Sequence, residues 1–425
     1  MVTLLALATL TYSIMTWDSF YDFIAIAIEL AIVITQMGGA EMSILPVDYR
    51  PSHEGAQYTA QTSTHIAYDE LSFSMSDVLP APVEAALGFH NPFTGRNLCR
   101  ESPLVSDTVD DALMTRDVIP YREEKSEINF ISSRHQLRYI AIRVANKKQH
   151  TTNGSLLGFC DLADVLVNGE VTVRKAHYFD ALLTIEAFRS RIFRGNLHGE
   201  TEVYTDLTTY FPVRMEAAES QLKVRFLPDF HRRVSTHTGI TSVLLTENRQ
   251  VAMLHQGNTK AVGAQSVCLG GSGSTDYCDL KGSGAPRDYR DIITHALARE
   301  VCEETGMEKW FPQARENTMV TGFFRWIDRC GLPEFVGITK AGDIPFSKHK
   351  AIDGDEVVSF DEVPITVNKP EDFIAVMNYL RDNQVRVALS SLMALRRLTI
   401  IAGYNTPGAS ETQKGIYNRL ASFLA

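Results

Sequence analysis

Residues 291–307, DIITHALAREVCEETGM, constrain the chain more than any other stretch, because they set three carboxylates within five positions of a segment built to be helical. Good helix formers run from Ile292 to Glu304 without an internal Gly or Pro, and Gly306 stands where a left-handed C-terminal cap is expected. At about 100° per residue, Glu300, Glu303 and Glu304 leave the helix on one side, the side that also carries Ile293, Ala296 and Leu297. The acids therefore continue an apolar stripe instead of opposing it.

That layout is costly unless something cationic meets it. Like charges at this spacing repel by about 0.2–0.5 kcal/mol per pair, and carboxylates at the negative end of the helix dipole each lose about 0.3–1 kcal/mol. Arg299 can neutralise one charge, and a divalent ion with oxygen ligands, Mg²⁺ or Mn²⁺, suits the rest. The bland alternative is a solvated charged face with Arg299 as a surface partner.

A resemblance decides between them. Arg299-Glu300-Val301-Cys302-Glu303-Glu304-Thr305-Gly306-Met307 matches every fixed position in the second half of the Nudix box, G-x5-E-x7-R-E-U-x-E-E-x-G-U with U aliphatic. The first half departs from it: Asp291 holds the position of the first Glu, Ala285 stands where the Gly belongs, and Gly284 comes one residue early. The resemblance implies an α/β fold, a Nudix-type α/β/α sandwich with a mixed sheet, preceded here by a strand-rich α+β N-terminal domain. It implies that Glu303 and Glu304 bind metal, that Glu300 binds metal or positions water, and that Arg299 orients the acids. Asp291 keeps a structural part of the first Glu's role only as far as its shorter arm allows.

The length, 425 residues, is enough for two domains. A net charge of -10 argues against a general nucleic-acid binder, since backbone recognition needs clustered Lys and Arg, and a small ligand is expected. Cys99, Cys160, Cys268, Cys278, Cys302 and Cys330 contain no CxxC pair, so neither a zinc site nor a disulfide framework is indicated. Cys302 falls on the helix face away from the acids, where packing is its expected use.

Five segments are expected. Residues 1–45 are apolar, with Asp18, Asp22 and Glu29 interrupting the run and no Lys or Arg before Arg50, which fits neither a secretory signal nor a regular membrane span. An irregular membrane anchor through residues 1–36, an apolar arm on a partner, or sequence upstream of the true start remain open, and a cytoplasmic protein is expected. Residues 46–103 read as a loop-rich connector. Residues 104–235 read as a strand-rich domain, with β-type runs at 137–146, 170–188, 202–213 and 221–227. His177 to Asp180 within it either line a ligand site or, as aromatic strands usually do, pack a core.

Residues 236–404 should form the catalytic domain and 405–425 a terminal helix. Strands 238–245 and 250–255 flank a turn at 246–249, and another at 264–269 leads into GGSGSTDYCDLKGSGAPRD. Glycine-rich backbone before a helix either approaches phosphate oxygens or is a flexible connector. Arg287 and Arg290 can reach a diphosphate or be ordinary solvated arginines. In a strand pair at 318–327 and 334–340, Phe323-Phe324-Arg325-Trp326 offers stacking and charge for a nucleobase, though at least two of its rings are expected in the core. Glu356, with Asp355 behind it, is the candidate for a further metal carboxylate in an acidic loop before a late strand.

The expected activity is Mg²⁺- or Mn²⁺-dependent hydrolysis of a pyrophosphate bond in a nucleoside diphosphate linked to another moiety, such as a nucleotide sugar, ADP-ribose or a dinucleotide. The alternatives are a nucleotide-binding regulatory domain without hydrolysis and a membrane-tethered interaction protein. Oligomeric state has no signature in the sequence.

Overall fold

A computed structural model describes the backbone of residues 42–46, 65–68, 71–74, 103–125, 136, 154–159, 169–185, 187, 190–195, 201–206, 213–218, 221–226, 234–256, 266–281, 288–326, 332–345 and 357–425. Before residue 239 the strands are β1 (Met42–Pro46), β2 (His65–Tyr68), β3 (Leu71–Ser74), β4 (Tyr121–Glu124), β5 (Ser155–Phe159), β6 (Val171–His177), β7 (Ser190–Gly195), β8 (Thr201–Asp206), β9 (Val213–Ala218) and β10 (Gln221–Phe226). They pair as β1-β7-β8, β3-β2-β10-β9 and β4-β6-β5, with helices α1 (Pro103–Thr115) and α2 (Tyr178–Leu183) among them. The expected strand at 137–146 lies outside the described residues.

The later strands form a single network: β11 (Gly239–Leu245), β12 (Gln250–Gln256), β13 (Val267–Cys268), β14 (Ser272–Ser274), β15 (Thr318–Trp326), β16 (Leu332–Lys340) and β17 (Val357–Thr366). Its order is β13-β12-β11-β16-β15, with β14 on β11 and β17 on β12. Helices α3 (Tyr289–Thr305) and α4 (Phe311–Glu316) lie between β14 and β15, and α5 (Asp372–Asp382), α6 (Leu389–Ala402) and α7 (Glu411–Leu424) follow β17. The protein is thus an α/β protein with mixed sheets.

Strands β11 and β16 pair in parallel, and every residue of β11 is buried. Burial on both faces explains why GITSVLL reads as one apolar and hydroxylic run without alternation. The alternation lies in the partners. Ile240 packs with Ile293, Leu297 and Phe335, and Leu244 with Ala298 and Val301, on the α3 side. Val243 and Leu245 join Val336, Ile338, Leu392, Leu395 and Leu398 on the α6 side. Successive residues of a strand face opposite ways, so helices cover both faces of the sheet.

Side chains from both sides of the expected boundary at residue 235 share one core. Val109, Leu113, Leu157, Phe159, Val171 and Val173 pack with Ile240, Tyr289 and Ile292, and the Phe159 ring lies 6.1 Å from that of Tyr289 and 6.4 Å from that of Phe335. The sheet β4-β6-β5 thereby fixes the N-terminal end of α3.

A buried ion pair ties three elements together. Strand β15 ends the sheet order and slips register between Val320 and Gly322. Asp110 on α1 accepts the Phe323 N–H at 2.7 Å, and its other oxygen lies 3.3 Å from Arg397 Nε on α6. Arg397 in turn donates to the Thr321 carbonyl at 2.9 Å. Any side chain at position 322 would run into Asp110 and Arg397, so the bulge needs its glycine.

The run 170–188, expected to be of β type, holds β6 followed by α2. His177 ends the strand and caps the helix: its N–H donates to Asp180 Oδ2 at 2.9 Å, and its ring Nδ1 lies 3.5 Å from the same oxygen. Phe179 and Asp180 are buried, so this group serves the core and a helix start. Among the described residues no helix is long and apolar enough to cross a membrane, and residues 1–41 lie outside them.

Candidate functional site

Helix α3 is built as its sequence requires. The Asp288 side chain accepts the Arg290 N–H at the start, and Gly306 ends the helix in the left-handed region with φ 66°. Ile293, Ala296 and Leu297 are fully buried, and the acids follow them along the same side. Glu304 is buried, the Glu300 side chain is 14% exposed, and that of Glu303 is 50% exposed. The three form a gradient from core to solvent within one turn.

Opposite them runs the first part of the glycine-rich segment, whose Ser272–Ser274 form strand β14. β14 pairs with β11 from Gly239↔Ser274 to Thr241↔Ser272, and upstream Gly271 accepts from Ser242 N–H at 2.9 Å. The segment lies flush on α3. A methyl group at Gly271 would strike the backbone nitrogen of Val301, and one at Gly273 would strike the Glu300 carboxylate. The glycines thus allow close approach of strand to helix, one of the uses that marks glycine in strands.

The two positions predict different losses. Gly271→Ala meets backbone that cannot yield, and should lower stability by about 1–3 kcal/mol, read as a drop in melting temperature. Gly273→Ala meets a carboxylate that can swing away, so it should displace Glu300 at smaller cost in stability.

Arg299 organises the acids. Its Nε and Nη2 donate to Asp279 Oδ1 and Oδ2 at 2.9 and 3.0 Å, Nη2 also donates to the Ser274 carbonyl at 2.9 Å, and Nη1 donates to Glu300 Oε1 and Glu303 Oε2, both at 2.9 Å. Asp276 Oδ2 lies 3.9 Å away. Burial opposes the Arg299 charge, but the bond to Asp279 and the fields of Glu300, Asp279 and Glu303 more than offset it, and its pKa is raised.

The acids respond in the other direction. Burial pushes the Glu300 carboxyl up to about 8 against the pull of Arg299, with Glu304 and Glu303 adding to the rise. Burial also raises Glu303, opposed by Arg299, and raises Asp276. One arginine does not neutralise this turn.

Asp276 and Asp279 are the contributions that sequence reasoning missed. They belong to the turn that opens the 3₁₀ helix at Tyr277–Lys281, where the Asp276 N–H donates to Asp279 Oδ2 at 2.7 Å. Their segment reads as linker, with no periodic signal. His295, one turn before Arg299, is a second omission: its Nε2 lies 3.7 Å from Asp279 Oδ1 and its ring packs edge-on against Phe311. Burial lowers its pKa, with Asp279 opposing and Arg315 and Arg299 adding to the fall.

The remaining candidates distribute unevenly. Asp291 is exposed in the first turn of α3, eight residues or about 12 Å from Arg299, whose buried carboxylate partner is Asp279. Arg290 sits at the same end, 3.2 Å from Asp288 and donating to the Arg116 carbonyl at 2.6 Å, so its bonds are structural ones away from the acidic turn. Phe323 and Phe324 are buried, in keeping with a core use for two rings of that cluster. Cys302 is buried too, and burial pushes its thiol up to about 12, which suits packing. Arg287, Asp355 and Glu356 lie outside the described residues, as do the side chains of Arg325 and Trp326.

Among the described residues no three His, Cys, Asp or Glu side chains stand in a ready metal-ligating group. In the turn, Arg299 Nη1 holds one oxygen each of Glu300 and Glu303.

No family model matches the chain, and no curated protein does. A solved structure, the crystal structure of DR0079 from Deinococcus radiodurans, has a TM-score of 0.24 and 12% identity over 47% of this chain and 94% of that one. A likeness so slight has no bearing on fold or function.

Proposed function

We propose that the chain is a Nudix-type pyrophosphohydrolase, its sheet and flanking helices a Nudix α/β/α sandwich, acting with Mg²⁺ or Mn²⁺ on a nucleoside diphosphate linked to another moiety. The observation that carries this reading is the acidic turn of α3: three carboxylates aligned with the buried stripe, with Glu300 held near pKa 8 by burial and by its neighbours. The donor set is all oxygen and its charge exceeds what Arg299 neutralises, which fits a hard divalent cation. Glu300, Glu303 and Glu304 would hold it, with Glu356 as the expected further ligand.

When bound, such an ion offsets the negative charge of the diphosphate oxygens and acidifies a coordinated water. The chain's own residues do the rest. Arg299 fixes Glu300 and Glu303 through charge-assisted bonds. Glu300 Oε2, the oxygen not bonded to Arg299, would be the one to accept a proton from water. Gly273, lacking a side chain, lets the Glu300 carboxylate lie directly against β14.

The test is a panel of ADP-ribose, nucleotide sugars and dinucleotides with Mg²⁺ or Mn²⁺. Cleavage of the diphosphate that stops on chelation supports the enzyme. Saturable binding without cleavage would instead favour a regulatory nucleotide-binding domain.

A pH dependence follows from Glu300. Its folded pKa of about 8 lies above the ordinary value of 4.5, so the folded state holds a proton that the unfolded state has released between those limits. The contribution to stability is full below pH 4.5 and is lost as pH rises through about 8. In chelator, the melting temperature should fall from pH 5 to pH 8. Saturating Mg²⁺ should flatten that slope, and Glu300→Gln should reduce it, leaving the smaller contributions of Glu303 and Asp276.

A further inference from the structure

Asp279 is fully buried and spends both carboxylate oxygens on Arg299, a bidentate pair that fixes the plane of the guanidinium. The five N–H groups of Arg299 are then all directed: Nε and one Nη2 hydrogen to Asp279, the other Nη2 hydrogen to Ser274, and the two Nη1 hydrogens to Glu300 and Glu303. With no donor left over, the position of Asp279 sets where Nη1 points, and Nη1 sets where the carboxylates of Glu300 and Glu303 stand. Asp279 is itself anchored from outside the helix by the Asp276 N–H on Oδ2, and His295 Nε2 of α3 lies 3.7 Å from Oδ1.

We propose that Asp279 is the positioning residue of the acidic turn, holding the two helix carboxylates in place through Arg299, in a chain whose Asp291 is too distant to do so. The inference rests on the reading of the turn as a cation site. It assigns to the Asp276–Asp279 segment a part in the site that its linker-like composition does not suggest. Groups that orient ligands from behind commonly govern metal affinity or activity by about 10–100-fold.

The experiment compares the full-length wild type with Asp279→Asn and Asp279→Glu, each measured by Mn²⁺ titration followed by electron paramagnetic resonance, by thermal melting and by hydrolysis. Asp279→Asn should weaken Mn²⁺ binding and lower kcat by about 10–100-fold while KM stays within about twofold. Asp279→Glu keeps the charge but moves the carboxylate by one methylene. It should recover melting temperature more than Mn²⁺ affinity, because the pair is retained and the geometry is not.

A purely structural role would lower melting alone, so folded variants with wild-type Mn²⁺ affinity and kcat overturn the proposal. If Asp279→Asn does not fold, Asp279→Glu decides on the same two readouts. A wild type that binds Mn²⁺ and hydrolyses, beside variants that do so equally well, sinks the positioning role alone. A wild type that does neither sinks the cation site and this inference with it.

Discussion

Replacing Glu304 with Gln should cut Mg²⁺-dependent turnover by about 10³-fold, the equivalent of about 4 kcal/mol of transition-state stabilisation, while the circular dichroism spectrum stays that of the wild type. Glu304 is the most buried of the three acids and continues the stripe of Ile293, Ala296 and Leu297. Glutamine keeps its shape and removes its charge, so the loss would belong to the site and not to packing. The loss should appear in kcat, with KM little altered, because the carboxylate acts on the reacting end of the substrate and not on its recognition. A Glu304→Gln protein with wild-type turnover would remove the enzyme assignment.

The largest loss of stability is expected from Asp110→Ala. Asp110 accepts the Phe323 N–H at the bulge of β15 and lies beside Arg397, which is 3% exposed. Its removal takes away the nearer of the two carboxylates beside the buried Arg397, leaving Asp111 at 3.6 Å, and orphans the Phe323 N–H, a loss of about 3 kcal/mol. At roughly 2–4 °C per kcal/mol, the melting temperature should fall by about 10 °C. Arg397→Met together with Asp110→Leu removes both charges and should restore much of the loss, since matched apolar replacement of a buried pair is often neutral. If Asp110→Ala melts like the wild type, α1, β15 and α6 are not tied by this pair.

The contrast between the two sites explains what was legible in the sequence. Helix α3 was fully readable because each of its determinants is local: a run of helix formers, Asp288 at one end, Gly306 at the other, and acids at i, i+3 and i+4. The strands β11, β12, β15 and β16 were readable for the same reason, each being a β-branched and aromatic run between turn residues. Asp279 was not, because its role depends on how GGSGS folds back onto α3, and a glycine-rich run looks the same whether it is a linker or a strand pressed flat against a helix. The pairing of Asp110 with Arg397 joins opposite parts of the chain and has no sequence period at all. The run at 170–188 misled for another reason: His177 with Asp180 three residues on carried a helix-start signal, which the β-branched residues around it concealed.

Arg299 shows how a local motif leaves its partner unspecified. The spacing to Glu300 and Glu303 was evident, whereas the carboxylate that orients the guanidinium comes from a turn twenty positions upstream. Residues 289–298 between them belong to α3 itself, and the turn that follows β14 sets Asp279 against Arg299.

For the chain to act as proposed, the acidic turn must take up a divalent ion. The direct measurement is a Mn²⁺ titration, by electron paramagnetic resonance, of the wild-type chain and of the triple variant Glu300→Gln, Glu303→Gln, Glu304→Gln. Saturable binding in the wild type that disappears in the triple variant is the predicted result. Equal binding by the two proteins, or none by the wild type, would contradict it.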